Sequence, residues 1–140
     1  MKAPSPLVNI LPYAGALPFV GCALLLLLGV HIFPPFGNIE AIMLAYGLTI
    51  ISFMAGVHWG WVLAGGVSRL NLLVISNIVA LLGWAFFIWV PAPFVFWGFA
   101  LLFAALFFVD TQLDLNPLYL RTRKYVTLIV CSSLAVVALI

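Results

Sequence analysis

The stretch AGALPFVGCALLLLLGVHIF, residues 14–33, decides the fold class of this 140-residue chain. It contains no Asp, Glu, Lys or Arg and includes five consecutive leucines at positions 24–28. A membrane-spanning helix needs about 20 mostly apolar residues, because each residue rises about 1.5 Å and the hydrocarbon core is ~30 Å thick. The stretch therefore predicts a transmembrane helix. Pro34-Pro35 should end it, since proline removes a backbone donor and disfavours helix in the preceding residue.

The composition of the whole chain agrees with a membrane location. The chain is 67% hydrophobic and 6% charged, whereas soluble domains carry roughly a quarter charged residues. So few charges cannot solvate the exterior of a globule, which leaves lipid as the solvent. The net charge of +2 is too small to indicate nucleic acid as a partner. Cys22 and Cys131 lie in apolar stretches, which favours buried thiols over a disulfide framework.

Four more apolar stretches follow the first. We predict spans over about 39–64, 70–90, 94–109 and 125–140, with an interfacial segment over 110–124. The charge-free hinge at 91–93 leaves a re-entrant pair open, although the tryptophans near it are typical of an interfacial belt. The sequence thus predicts one all-α domain over residues 1–140, a bundle of about five transmembrane helices.

All of the cations fall at one end of such a bundle. They are Lys2, Arg69, Arg121, Arg123 and Lys124. The opposite end has Glu40 as its only ionisable carboxylate. Since cytoplasmic loops carry the excess of Lys and Arg, we predict the N-terminus inside and the C-terminus outside. The cations after Lys2 are expected to face anionic lipid on the cytoplasmic side.

The most distinctive motif is GVHWGW at residues 56–61. Gly56, Gly60 and Ala64 recur every four residues and predict a small-residue stripe that lets another helix approach closely. His58 lies about 200° around the helix from Gly56 and faces elsewhere. It is either a proton carrier or ligand in an interior cavity, or a histidine that joins two helices through a hydrogen bond.

Polar residues concentrate in the half of the bundle that carries the cations. The candidate ligand or proton-pathway residues are His58, Trp59, Trp61, Asn77 and Asp110. His58 and Asn77 lie at similar depth, which is compatible with a polar pocket open to the cytoplasm. A water-free hydrogen-bond network that fixes helix packing is compatible with the same residues, and the sequence does not separate the two.

The candidate carboxylate, Asp110, lies where the fourth span ends. We interpret it as a solvated helix end paired with Arg121 or Arg123 rather than as a catalytic group. The sequence has no phosphate-binding glycine loop, zinc-ligand spacing or nucleophile elbow. No catalytic residue or metal ligand is therefore predicted, and an enzyme is less expected than a binding protein.

Two cofactor readings remain as alternatives. His31 and His58 differ in depth by roughly 15–20 Å, so one haem iron cannot take both from a single protomer. Trp59 and Trp61 could flank the flat ring of a quinone. A haem or quinone site linked to respiration is thus an alternative, and no cofactor is assigned.

The chain resembles the domain-of-unknown-function family of bacterial inner-membrane proteins that includes animal mitochondrial transmembrane protein 69. The likeness covers nearly the whole chain and is carried by PYAGALPF at 12–19, SFMAGVHWG at 52–60, Ser76-Asn77, YLRTR at 119–123 and Val126-Thr127. Thr122 and Val126 stand where leucines are expected. The resemblance implies a five-span protein without an established activity, and it nominates His58, Trp59, Asn77, Asp110, Arg121 and Arg123 without assigning them roles. With no transit peptide evident, a bacterial inner membrane is the expected location.

These observations lead to three function hypotheses. The first is a non-enzymatic accessory or assembly factor that binds a membrane-protein partner, a lipid or a second copy of itself. The second is a small proton or solute transporter or channel that uses a cytoplasm-facing polar pocket around His58 and Asn77. The third is the quinone or haem site.

Overall fold

The computed structural model describes residues 6–67 and 70–140. These residues form five helices: α1 (Leu7–Leu27), α2 (Ile39–Leu63), α3 (Leu72–Trp89), α4 (Phe94–Thr111) and α5 (Pro117–Leu139). Each is long and apolar enough to cross a membrane, which confirms the predicted all-α membrane bundle. A short antiparallel ladder, β1 (Ile32–Phe33) with β2 (Gly37–Asn38), connects α1 to α2.

The first helix begins and ends earlier than the predicted span of 14–33. It runs through Pro12 and Pro18, because neighbouring groups in a membrane bundle can satisfy the backbone positions that a proline leaves unpaired. It ends at Leu27, and Gly29 just beyond it has a φ of 82°, in the left-handed region. The Gly29 and Val30 amides donate back to the carbonyls of Leu26 and Leu25 at 3.1 and 2.9 Å, a Schellman motif.

The last helix also differs from its predicted span, which was 125–140. Asn116 caps it through a hydrogen bond from the Leu118 amide to Oδ1 at 2.9 Å, and Pro117 occupies the first turn. Proline is favoured at the start of a helix because its missing amide has no partner there. Most of the segment 110–124, expected to be interfacial, is therefore helical, and the cations at 121, 123 and 124 belong to α5.

The helix packing brings the predicted hinges together. α4 contacts α2, α3 and α5, while α1 contacts α5 and α2. The starts of α1 and α5 are joined by a hydrogen bond from Thr122 Oγ1 to Asn9 Oδ1 at 3.4 Å. Leu72 at the start of α3 packs with Val109 and Leu113 at the end of α4. We call this end of the bundle, with the starts of α1, α3 and α5 and the end of α4, the basic end.

The basic end carries the cations Arg121, Arg123 and Lys124. The remaining two cations, Lys2 and Arg69, lie outside the described residues. The sidedness of the bundle in a membrane remains a prediction.

Candidate functional site

Three ionisable side chains from three helices meet inside the basic end. His58 Nε2 lies 2.7 Å from Asp110 Oδ1, and Arg123 Nε donates to Asp110 Oδ2 at 3.0 Å. The exposed fractions of His58, Asp110 and Arg123 are 1%, 4% and 5%. One carboxylate therefore joins α2, α4 and α5. We call these residues the buried triad.

A helix dipole and burial both make the carboxylate depend on the guanidinium. Asp110 is the next-to-last residue of α4, and Arg123 lies in the second turn of α5. A negative charge is disfavoured in the last turn of a helix, where Asp110 lies. Either charge alone would also be costly to bury. Their ion pair offsets both penalties.

This geometry corrects two expectations from the sequence. Asp110 is paired with Arg123, one of the two partners considered, but the pair is buried and not solvated. Arg123 is accordingly not a cation exposed at the membrane surface. Arg121 and Lys124 are exposed, and that they face anionic lipid stays a prediction.

The histidine of the buried triad has one ring nitrogen without a partner. An ionised carboxylate only accepts hydrogen bonds, so His58 Nε2 is the donor to Asp110. Nδ1 is buried and makes no hydrogen bond to any described residue. The same holds for the Nε1 donor of Trp61, three residues further along α2. The buried triad thus lies next to two buried polar atoms that the described residues leave without a hydrogen bond.

A cavity of about 390 Å³ opens beside the buried triad, between α1, α2 and α5. This is within the range typical of ligand sites, roughly 300–1,000 Å³. Its walls are almost entirely apolar, and Phe103 of α4 also lines it. We call this cavity the groove. Its other lining residues are Leu7, Val8, Leu11, Pro12, Gly15, Ala16 and Phe19 of α1; Ile50, Phe53, Met54 and Val57 of α2; and Tyr119, Arg123, Val126, Thr127 and Val130 of α5.

Polar side chains form a single row along the α5 wall of the groove. Tyr119, Arg123 and Thr127 follow each other at intervals of four residues, and all three line the groove. Residues at this spacing share a helix face. Arg123 therefore belongs to the buried triad and to the groove. This row was not predicted from the sequence, although its spacing is readable once α5 is known to begin at Pro117.

The structure does not bring Asn77 to His58. Asn77 lies on an exposed face of α3, and its side chain makes no hydrogen bond to any residue that the structure describes. Its neighbour Ser76 is the buried one, with 1% exposure, and donates to the Leu73 carbonyl at 3.1 Å. The pocket expected around His58 and Asn77 is therefore not formed as predicted.

The two tryptophans of the motif have different surroundings. The Trp59 side chain is 38% exposed on the outside of the bundle. Trp61 packs inside, against Gly66 and the cluster of Leu72, Val109 and Leu113. They do not flank a common space, so the arrangement does not fit a flat quinone ring held between them.

The predicted small-residue stripe is not used within the described chain. Gly56, Gly60 and Ala64 are all exposed. A Cβ added at Gly56 or Gly60 would have nothing within 4 Å among the described residues. Close helix approach at this stripe stays a prediction for contact with another molecule.

Comparison with known proteins places the chain in a family without a described activity. No curated protein and no solved structure matches it. The sequence model of one family, described as "Protein of unknown function (DUF3429)", matches residues 4–139, nearly the whole length. The chain, a multi-pass membrane protein by its helices, therefore belongs to the DUF3429 family of proteins of unknown function.

Proposed function

We propose that this protein is a non-enzymatic membrane-embedded binding protein whose groove holds the hydrocarbon chain of a bilayer lipid. In this role it would serve as an accessory or assembly factor in the membrane. The groove carries the proposal, because it is a long apolar cavity in a bundle of transmembrane helices.

The length and opening of the groove suit a lipid chain. Along α1 it extends from Leu7 to Phe19, about 18 Å at 1.5 Å per residue. That is slightly more than half of a ~30 Å hydrocarbon core, the depth of one leaflet. Three residues of its wall, Leu11, Phe53 and Val57, are 59%, 64% and 42% exposed. The groove thus opens on the outside of the bundle, where a chain can enter from the lipid phase.

A hydrogen bond joins α1 and α2 beside the groove. Tyr46 Oη donates to the Gly15 carbonyl at 2.7 Å. The residues of α2 that line the groove, from Ile50 to Val57, all follow Tyr46 toward the basic end. The two helices are thus held together near Tyr46, while on α1 the groove continues past Gly15 to Phe19.

Photocrosslinking tests the proposal. The purified protein is reconstituted with a phospholipid that carries a diazirine in one acyl chain, and the crosslinked residues are mapped by mass spectrometry. We expect them to fall in the groove and to decrease severalfold in Leu11→Trp, which places an indole in it. Leu101→Trp is the matched control, since Leu101 is 67% exposed and lies outside the groove. Equal labelling of both variants, or labelling spread evenly over the bundle, would count against a lipid-binding groove.

A second candidate function, proton-linked transport, is supported by the buried triad alone. His58 pairs with a buried carboxylate and keeps an unpartnered ring nitrogen, an arrangement found in proton relays within membranes. Proton flux into proteoliposomes would then be lost in His58→Gln. The flux would survive in Asn77→Ala, because Asn77, grouped with His58 in the pocket predicted from the sequence, is exposed on α3. Flux that is absent from the wild type, or unchanged in His58→Gln, would eliminate this candidate.

We further propose that the basic end faces the cytoplasm of a bacterium, with the protein in the inner membrane, and that this family is the one that includes animal mitochondrial transmembrane protein 69. The exposed cations Arg121 and Lys124 support the orientation through the positive-inside rule. In intact cells, a membrane-impermeant thiol reagent should label a cysteine at Pro35 and spare one at Asp114, with Cys22 and Cys131 replaced by serine. The reverse pattern would overturn the orientation.

A further inference from the structure

We propose that the groove selects an anionic phospholipid, whose phosphate binds Arg123 between the hydroxyl groups of Tyr119 and Thr127. This inference rests on the proposed lipid-chain site and adds the class of headgroup. It follows from the polar row of α5, where polar side chains stand in an otherwise apolar cavity.

The guanidinium of Arg123 is only partly used by the buried triad. Its Nε donates to Asp110, while neither Nη atom makes a hydrogen bond to a described residue. Neither Nη atom is among the fully buried polar atoms without a partner. Both therefore keep accessible surface, and Arg123 lines the groove. Two parallel N–H donors on a planar group match the oxygens of a phosphate.

Hydroxyl groups are available one helical turn on either side of that guanidinium. Tyr119 and Thr127 line the same groove, and the hydroxyl of neither is bonded to another described residue. Both can donate to phosphate oxygens. Thr127 is only 8% exposed, so its hydroxyl is held in place inside the bundle rather than at a mobile surface.

The charges around the groove complement an acidic headgroup. Among the described residues that line it, Arg123 is the one charged side chain, and none is Asp or Glu. Asp110 contacts Arg123 but is not part of the lining, so the carboxylate is screened from a bound anion by the guanidinium. Arg123 is about 9 Å along the axis from the first residue of α5. The headgroup would thus sit toward the basic end, with its chain directed toward Phe19 and Phe103.

Competition between two lipids with identical acyl chains tests the headgroup. The wild-type protein is exchanged into micelles containing equal amounts of phosphatidylglycerol and the diacylglycerol with the same chains, which lacks the phosphate, and retained lipid is counted by native mass spectrometry. We expect a preference for phosphatidylglycerol of about tenfold or more, since a hydrogen bond to a charged group contributes roughly 1.5–3 kcal/mol and 1.4 kcal/mol is tenfold. Tyr119→Phe and Thr127→Val should each reduce that preference severalfold, because they remove a hydroxyl and keep the shape. Arg123→Lys should reduce it at least as much, since one ammonium paired with Asp110 lacks the planar pair of donors.

The control variants remove a charge from the same end without touching the groove. Arg121→Met and Lys124→Met lose exposed cations and should keep most of the preference. An equal loss in these controls would mean that general attraction to a basic surface explains the selection, and would overturn the proposal. Equal retention of both lipids by the wild type would overturn it as well. If the wild type retains both lipids equally and Leu11→Trp loses both, the lipid-chain site is supported and only the headgroup selection fails. This result separates the inference from the proposed function.

Discussion

The substitution Asp110→Ala tests whether the buried triad holds the bundle together. It removes the one carboxylate that contacts both His58 and Arg123. The Arg123 guanidinium would then remain buried without a counterion, because its only ion pair within the described residues is with Asp110. His58 would lose the hydrogen bond of Nε2 and keep an unpartnered Nδ1.

The expected loss follows from the two contacts. A hydrogen bond to a charged group contributes roughly 1.5–3 kcal/mol, and breaking a buried ion pair by removing one partner costs roughly 3–5 kcal/mol. The paired side chains are 6% exposed or less, so solvent screens them little. We therefore expect Asp110→Ala to lower the free energy of unfolding by about 3–5 kcal/mol.

Reversible unfolding in mixed micelles, followed by circular dichroism as the fraction of denaturing detergent rises, measures this change. Asp114→Ala is the matched control, since Asp114 is an exposed acid close to the same helix end. It should change the free energy by less than about 0.5 kcal/mol. A triple variant, His58→Phe with Asp110→Leu and Arg123→Met, should recover most of the loss, because an apolar replacement of a whole buried ion pair is often neutral or stabilising.

Two results would refute this reasoning. If Asp110→Ala unfolds within about 0.5 kcal/mol of the wild type, the ion pair is not a structural contact of the folded protein. If the triple variant is as unstable as Asp110→Ala, the loss comes from packing at Asp110 and not from unpaired polar groups.

Two further predictions concern contacts between helices. Gly47→Ala should destabilise by roughly 1–3 kcal/mol in the same unfolding assay, because its Cβ would lie 3.0 Å from the buried ring of Phe99; Gly56→Ala, with open space around it, should be neutral or stabilising by up to about 1 kcal/mol. Equal effects of the two alanines would contradict the packing of α2 on α4. Tyr46→Phe should cost about 0.6 kcal/mol, the average for a hydrogen bond between membrane helices, by removing the donor to Gly15. A Tyr46→Phe protein as stable as the wild type would contradict that bond.

The fold class could be predicted because a membrane constrains composition and length more strongly than water does. Long uncharged stretches separated by Pro, Gly and charged residues were enough to count the five helices. Helix ends were harder to predict. The end of α1 depends on the left-handed conformation at Gly29, whereas the proline pair at 34–35 looked like the stronger signal. Pro12 and Pro18 lie inside α1 although proline usually marks a helix end, because the bundle tolerates both.

The candidate site could be predicted only in part. Depth counted along helices placed His58 and Asp110 near the same end, and they are in contact. Depth does not give rotation about the helix axis, which is why Asn77 was grouped with them although it faces outward. Arg123 was assigned to the surface because positive charge near a membrane usually marks a cytoplasmic face. Its burial follows from where α5 begins, two turns earlier than predicted.

Stability alone does not account for a buried triad in this bundle. A well-packed apolar replacement of a buried ion pair is often as stable or more so, and ionisable groups within membrane helices are costly and usually serve a function. The structure offers a reason to keep the charge at Arg123, because this residue faces the groove as well as Asp110. Asp110, itself bonded to His58, holds the guanidinium in place, so the proposed anionic lipid would bind it without a large loss of side-chain entropy. On this argument the triad supports the binding site, and the apolar triple variant should fold while losing the preference for an anionic lipid.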